Sequence, residues 1–179
     1  MRAEAVDRVR LIFTLLDANG NGVLDADDFE LMASRVVEAA RDSDDAAKEA
    51  MSVAFRRYWE TLSAELDADH DGRITFDDYR VCVLSPHRFD ETIADFAEAL
   101  GALGHPAGDG LVGRPVFVAL MTAIGFEPAN INALFDAFQP NAADQIEAGV
   151  WVEGIKDYYH PELAGIPGDR LVGSANTTA

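Results

Sequence analysis

The sequence has few of the residues that cross-link proteins or draw them to polyanions. Its 179 residues include one cysteine, Cys82, so no disulfide can form within the chain. Lysine and arginine together number 14 against 32 aspartates and glutamates, and the formal net charge is −18. A surface of this charge repels nucleic acids and anionic lipids and attracts cations. We therefore expect neither a nucleic-acid partner nor a membrane partner.

Long apolar runs are also missing. No stretch is long enough to cross a bilayer. The first 13 residues alternate charged and apolar side chains, unlike the continuous apolar block of a secretory signal. With the single cysteine, these absences favour a cytoplasmic protein, and the excess of arginine over lysine indicates a bacterial genome. Apolar residues still make up 49% of the chain, which is enough for a packed core.

What the sequence does contain is a helix–loop–helix pattern that occurs four times. Apolar residues at helical spacing flank four twelve-residue loops, which span residues 17–28, 67–78, 105–116 and 139–150. Position 8 of each loop is aliphatic, and the residues there are Leu24, Ile74, Val112 and Ile146. We predict an all-α fold of four such units in two pairs, forming one compact body. Short β-bridges should join the paired loops at position 8.

The pattern divides the chain into three segments. Residues 1–84 hold the first pair of units and residues 85–160 hold the second. Proline and glycine are frequent in residues 161–179, which predicts a non-helical C-terminal tail. Within this tail, Leu171 and Val172 are predicted to fill a groove between the two halves.

The first two loops carry oxygen-bearing side chains at alternating positions. Positions 1, 3, 5 and 12 hold carboxylates or amides and position 6 holds glycine, an arrangement that encloses a hard divalent cation in oxygen atoms. Position 7 contributes its backbone carbonyl, and position 9 coordinates directly or through water. The predicted metal ligands are Asp17, Asn19, Asn21, Val23, Asp25 and Asp28 in the first loop and Asp67, Asp69, Asp71, Arg73, Thr75 and Asp78 in the second.

Position 12 departs from the usual pattern. Glutamate is common there because it reaches Ca²⁺ with both carboxylate oxygens. Asp28 and Asp78 are one methylene shorter and favour a single oxygen, which lowers calcium affinity or shifts selectivity toward magnesium. We therefore expect Ca²⁺ at two sites, with Mg²⁺ as a competitor. The second loop carries more acids at these positions, so charge alone predicts that it binds more tightly.

The third and fourth loops lack this set of ligands. Positions 1, 3 and 12 of the third loop are His105, Ala107 and Val116. The fourth loop begins with Gln139 and ends with Val150. We predict that neither loop binds metal and that both serve to complete the second pair.

The first two loops resemble those of the EF-hand family. The sequence DANGNGVLDADDF at residues 17–29, the aspartate that closes its loop and the four-unit length are similar to the sarcoplasmic calcium-binding protein and calerythrin group. This group includes bacterial members. The resemblance implies two EF-hand pairs packed against each other, and a role in calcium buffering or calcium signalling. The matching motifs are confined to residues 17–29 and 67–79, so the resemblance implies metal ligands only there.

Three functions are consistent with these features, and the third of them is a structural adaptor whose second half binds a partner without metal. The first is an intracellular calcium buffer with two occupied EF-hand sites, acting as a monomer. The second is a calcium sensor that exposes an apolar surface to regulate a protein partner. The chain has only 4 methionines, which argues against the Met-rich groove that sensors open. No nucleophile–base pair or phosphate-cradling glycine loop is recognisable, so we expect no enzyme.

Overall fold

The computed structural model of the protein describes residues 2–66, 71–85 and 89–173. The α-helices in these ranges are α1 (Ala3–Leu16), α2 (Ala26–Ala39), α3 (Asp45–Leu66), α4 (Phe76–Val83), α5 (Asp90–Gly104), α6 (Arg114–Ile124), α7 (Pro128–Ala137) and α8 (Ala148–Tyr159). Two short strands are β1 (Leu111–Gly113) and β2 (Gln145–Glu147). The predicted fold, mostly helical with helix–loop–helix units, is confirmed. Within the described ranges, each helix is too short or too polar to cross a bilayer.

Local chemistry sets the helix boundaries. Helix α2 begins at a capping box, in which the Asp25 carboxylate accepts a hydrogen bond from the Asp28 N–H at 3.3 Å. The Asp28 carboxylate accepts from the Asp25 N–H at 3.1 Å in return. Helix α6 ends at Gly125, whose φ of 113° is in the left-handed region that glycine tolerates. Helix α7 begins with Pro128, which is preorganised for a first helical turn.

Each pair of units is joined by a short antiparallel contact between its loops. Leu24 and Ile74 exchange two backbone hydrogen bonds, with N···O distances of 2.9 and 3.0 Å. Strands β1 and β2 pair in the second half, with Val112 opposite Ile146. All four side chains are buried. The bridges predicted at position 8 are therefore confirmed in both pairs.

The two pairs share one apolar core. Helix α5 of the second pair packs against α3 of the first as well as against α8. The Phe96 ring of α5 lies 5.1 Å from the Phe55 ring and 5.7 Å from the Tyr58 ring, both on α3. Edge-to-face contacts of this kind add to the stabilisation from burial. The buried side chains of both halves belong to one continuous cluster.

Helices α5 and α8 approach so closely that glycine is required between them. A Cβ atom at Gly104 would lie 2.6 Å from Cζ3 of the buried Trp151. One at Gly101 would lie 2.6 Å from Cγ2 of Val152. At these distances only glycine fits at either position, because any larger residue would displace a neighbouring side chain.

The C-terminal tail is docked on the body and is partly helical, which corrects the prediction of a non-helical segment. Pro167–Leu171 form a 3₁₀-helix that begins with proline. Leu171 is buried, and its carbonyl accepts a hydrogen bond from Nδ2 of Asn130 at 3.1 Å. Val172 is half-buried. Residues 174–179 of the predicted tail lie outside the described residues.

Substitution of Gly104 by alanine tests the close helix contact. Gly104→Ala should lower the free energy of unfolding by about 1–3 kcal/mol, because the new methyl group overlaps the ring of Trp151. Gly149→Ala is the matched control, since a Cβ atom there meets nothing within 4 Å. The control should be neutral or gain about 0.4–1 kcal/mol. Urea unfolding checks both, and equal stabilisation of the two variants would contradict the contact.

Candidate metal centre

The first loop folds around the oxygen atoms of its own side chains. The two carboxylate oxygens of Asp17 accept hydrogen bonds from the backbone N–H groups of Asn21 at 3.0 Å and Gly22 at 2.9 Å. The side-chain oxygen of Asn19 accepts from the Asn21 N–H at 3.0 Å, and that of Asn21 accepts from the Val23 N–H at 3.0 Å. These successive side-chain-to-backbone turns gather positions 1, 3 and 5 into one bend.

Glycine makes the sharp part of this bend possible. Gly22, at position 6, has a φ of 84°, in the left-handed region where a Cβ atom is penalised. Gly72 occupies the same position of the second loop with a φ of 72°. Both loops therefore take the turn that a twelve-residue cation loop requires.

The last ligand position of the first loop returns to its beginning. One carboxylate oxygen of Asp28 accepts from the backbone N–H of Asn19 at 3.2 Å. Asp28 is 1% exposed, and this burial raises the pKa of its carboxyl group, opposed by hydrogen bonds from the Asp25 and Asn19 backbones. A carboxylate whose charge is disfavoured by burial is a group that a bound cation would stabilise. The residues present therefore fit a hard divalent ion.

The second loop is described from its fifth position onward. The Asp71 carboxylate accepts from the Arg73 N–H at 2.9 Å, while the Arg73 side chain is exposed. Thr75 caps helix α4, and its hydroxyl donates to the Asp78 carboxylate at 2.5 Å. Asp78 is exposed, in contrast to its buried counterpart in the first loop.

Two of the predicted ligands of the second loop, Asp67 and Asp69, lie outside the described residues. In the part of the chain that the structure does describe, no group of three or more histidine, cysteine, aspartate or glutamate side chains forms a metal cluster. The first loop draws half of its predicted ligands from Asn19, Asn21 and the carbonyl of Val23, which such a cluster does not include. A donor set made only of oxygen suits Ca²⁺ or Mg²⁺ and not a thiol- or imidazole-seeking metal.

Sequence reasoning missed the side chain that joins the third and fourth loops. Arg114 donates from Nε and Nη2 to the two carboxylate oxygens of Asp144, each at 2.8 Å, and from Nη2 to Asp136 at 2.7 Å. Its guanidinium also lies 4.4 Å from the centre of the Phe135 ring. The hydrogen bond from Arg114 lowers the pKa of Asp144. The available signal was that Arg114 is the sole lysine or arginine between residues 105 and 150.

Asp144 also stands where the first two loops have glycine. It occupies position 6 of the fourth loop and has a φ of 58°. Aspartate tolerates this left-handed conformation better than most residues. The fourth loop thus retains the turn, and the Arg114 guanidinium binds Asp144, the residue at which the turn is made.

Comparison with known proteins supports this assignment of the first half. Residues 6–80 match the family model described as an EF-hand domain pair. Residues 6–80 are therefore an EF-hand pair. The match contains both loops with predicted oxygen ligands and ends before the two loops for which we predict none.

Relatives and solved structures extend the similarity over the rest of the chain. The sequence is 25% identical to calerythrin of Saccharopolyspora erythraea over 169 residues, which are 90% of this chain and 95% of calerythrin. A Streptomyces coelicolor calcium-binding protein has a TM-score of 0.69 and 23% identity, with 85% of this chain and 95% of that chain covered. A sarcoplasmic calcium-binding protein from amphioxus has a TM-score of 0.66 and 18% identity, covering 98% and 99%.

The resemblance to the EF-hand family and to the sarcoplasmic calcium-binding protein and calerythrin group is thereby confirmed. Calcium binding is the function that an EF-hand pair of this kind supports. The individual ligands, the number of occupied sites and the division at residues 84 and 160 stay predictions.

Replacing Arg114 with glutamine tests the contribution of its guanidinium group to the stability of the second pair. Arg114→Gln should lower Tm at pH 7 by about 2–4 °C, since it removes the link between Asp144, Asp136 and the Phe135 ring. Because the pKa of Asp144 is lowered in the folded state, its ion pair stabilises the protein at pH values above 3.8, the ordinary pKa of an aspartate. This stabilisation is lost as the pH falls through the lowered pKa of the folded state. The difference in Tm should therefore shrink in acid.

Arg57→Gln is the matched control for this experiment. Arg57 also faces two acidic side chains, Glu91 and Asp95, but its side chain is 48% exposed. Exposed ion pairs contribute little to stability, so its Tm should stay close to that of the unmodified protein. Equal losses in the two variants would show that Arg114 has no special role.

Proposed function

We propose that this protein is an intracellular calcium buffer that binds two Ca²⁺ ions in the loops 17–28 and 67–78. The observation that carries the proposal is the shape of the first loop. The Asp17 carboxylate accepts hydrogen bonds from the Asn21 and Gly22 N–H groups, and the Asp28 carboxylate accepts from the Asn19 and Asp25 N–H groups, so both acids fold back onto the backbone of one loop. Asp28 is buried, and among the described residues its hydrogen bonds come from backbone N–H groups and not from a cationic side chain. A divalent cation would offset this concentration of negative charge.

The proposed ligands follow the positions of the loop. In the first site they are Asp17, Asn19, Asn21, the Val23 carbonyl, Asp25 and Asp28, and in the second Asp67, Asp69, Asp71, the Arg73 carbonyl, Thr75 and Asp78. The second site carries more charge, whereas Asp28 of the first is already held in place by the capping box. Mg²⁺ is expected to compete at both sites, because each loop closes with the shorter aspartate.

The two sites are tested by calorimetric titration with calcium in the presence of magnesium. The unmodified protein should bind two ions. Asp17→Ala and Asp71→Ala should each abolish one binding event, because each removes a ligand from a different loop. Asp109→Ala is the control, since Asp109 lies in the third loop, which lacks the predicted ligand set, and its carboxylate accepts a hydrogen bond from the Leu111 N–H. Loss of binding in the control, or two ions retained in both site variants, would contradict the proposal.

Buffering is favoured over sensing by the packing of the apolar side chains. The two pairs already bury their apolar faces in one core. Among the described residues, the large apolar side chains that remain exposed are spread over four helices, as Leu31, Val53, Val81 and Val150. A sensor needs a continuous apolar groove for its target. Isolated exposed residues of this kind do not provide one.

Sensing is the second candidate, and one observation favours it. An apolar cavity of about 70 Å³ lies between the helices, with Leu16 of α1, Tyr158 of α8 and Leu171 of the C-terminal tail among its lining residues. Because the tail forms part of this lining, its movement would widen the cavity. The similar Streptomyces coelicolor protein is described as acting in prokaryotic calcium-mediated regulation.

A fluorescent apolar dye distinguishes the two functions. For a buffer, anilinonaphthalene sulfonate fluorescence should stay flat or fall when calcium is added in excess of chelator, because binding orders the loops without uncovering the core. A calcium-dependent rise of several-fold would indicate a sensor instead. The double variant with Asp17→Ala and Asp71→Ala is the control, and its signal should not respond to calcium.

A further inference from the structure

One arginine is fully buried and bonds to the end of α8 and to the segment that follows it. Arg8 on α1 is 0% exposed. Its Nε donates to the Tyr158 carbonyl at 2.7 Å, and its Nη2 donates to the His160 carbonyl at 3.0 Å. Its Nη1 donates to the Asp169 carboxylate at 2.6 Å, and both Nη atoms donate to the Leu163 carbonyl at 3.2 Å. A charge removed from water in this way is tolerated only when such partners surround it.

We call residues 161–173 the C-terminal latch. Asp169 organises this segment, because one of its oxygens pairs with Arg8 and the other accepts from the N–H groups of Gly165 at 2.7 Å and Ile166 at 3.1 Å. The latch also packs by shape. A Cβ atom at Gly168 would lie only 2.7 Å from the Tyr158 ring, and Leu171 is buried.

The same helix carries Arg8 and enters the first metal loop. Helix α1 spans Ala3–Leu16, and the N–H of Asp17 bonds to the Phe13 carbonyl at 2.9 Å, so the first ligand is attached rigidly to the end of the helix. Leu16 of α1 and Leu171 of the latch line the same apolar cavity. The latch and the metal loop therefore hold opposite parts of one rigid element.

We propose that the C-terminal latch and the first calcium loop are coupled through α1, so that docking of the latch and binding of the cation favour each other. In the latched structure, hydrogen bonds to backbone N–H groups hold the Asp17 and Asp28 carboxylates, the first and last proposed ligands, against the first loop. Release of Arg8 would free α1 to tilt and would move the first ligand away from the last. This inference rests on the proposed calcium function. Thermodynamic linkage makes the effect reciprocal.

Two latch variants test the effect on calcium. Asp169→Asn removes the charge that faces Arg8, and Leu171→Ala removes the apolar anchor; neither residue is a proposed ligand. In an Asp71→Ala background, where only the first loop binds, each should weaken calcium affinity about five- to tenfold. In an Asp17→Ala background, where only the second loop binds, affinity should not change. Arg57→Gln is the surface control and should change neither affinity. Unchanged first-loop affinity in both latch variants would overturn the coupling.

Hydrogen exchange tests the reciprocal effect in the unmodified chain. Calcium should slow amide exchange in residues 161–173 at least threefold, and Asp17→Ala should abolish this protection although it lies far from the latch in sequence. Exchange in the latch that is unchanged by calcium, while calorimetry records binding, would refute the coupling and leave the proposed function intact. Absence of calcium binding in the unmodified protein would refute both.

Discussion

Backbone pairing between loops is the constraint on which the rest of this structure depends. Leu24 and Ile74 exchange two hydrogen bonds in the first pair, and strands β1 and β2 pair in the second. Each contact holds two loops side by side and so sets where the flanking helices begin. The apolar faces of these helices then meet in a single core. A loop cannot lose its turn without displacing the helices attached to its partner.

This constraint explains why the second pair retains loop geometry without the acidic ligands. In the first pair, a buried Asp28 carboxylate and the bent Asp17 loop are suited to a divalent ion. In the second pair, the Arg114 guanidinium joins Asp144 and Asp136. The two halves thus differ in how their acidic side chains are neutralised. We propose that the first pair binds a cation from solution, whereas in the second pair the Arg114 side chain supplies the positive charge.

Close packing connects the two halves and their C-terminal segment. The missing Cβ of Gly104 lets α5 approach Trp151, and the 3₁₀-helix of the latch lies against Tyr158 because Gly168 has no side chain. Arg8 joins Leu163 and Asp169 of the latch to the helix that leads into the first loop. In the coupling that we propose, the position of that loop depends on contacts from both ends of the chain.

Loop spacing and helical periodicity in the sequence determined four helix–loop–helix units and an oxygen-lined first loop, because these features depend on residues within one loop and the helices beside it. The bridges at position 8 join distant residues, but the sequence also indicated them, because each loop repeats the same pattern with an aliphatic residue at that position. Only the tertiary structure decided the rest. Asp28 is buried and Asp78 is exposed, although both close the same motif, since burial depends on helices brought from elsewhere. Arg114 finds Asp144 across 30 residues, and Arg8 finds Asp169 across 161. Nothing in local spacing encodes such partners, and the docked 3₁₀-helix was missed for the same reason.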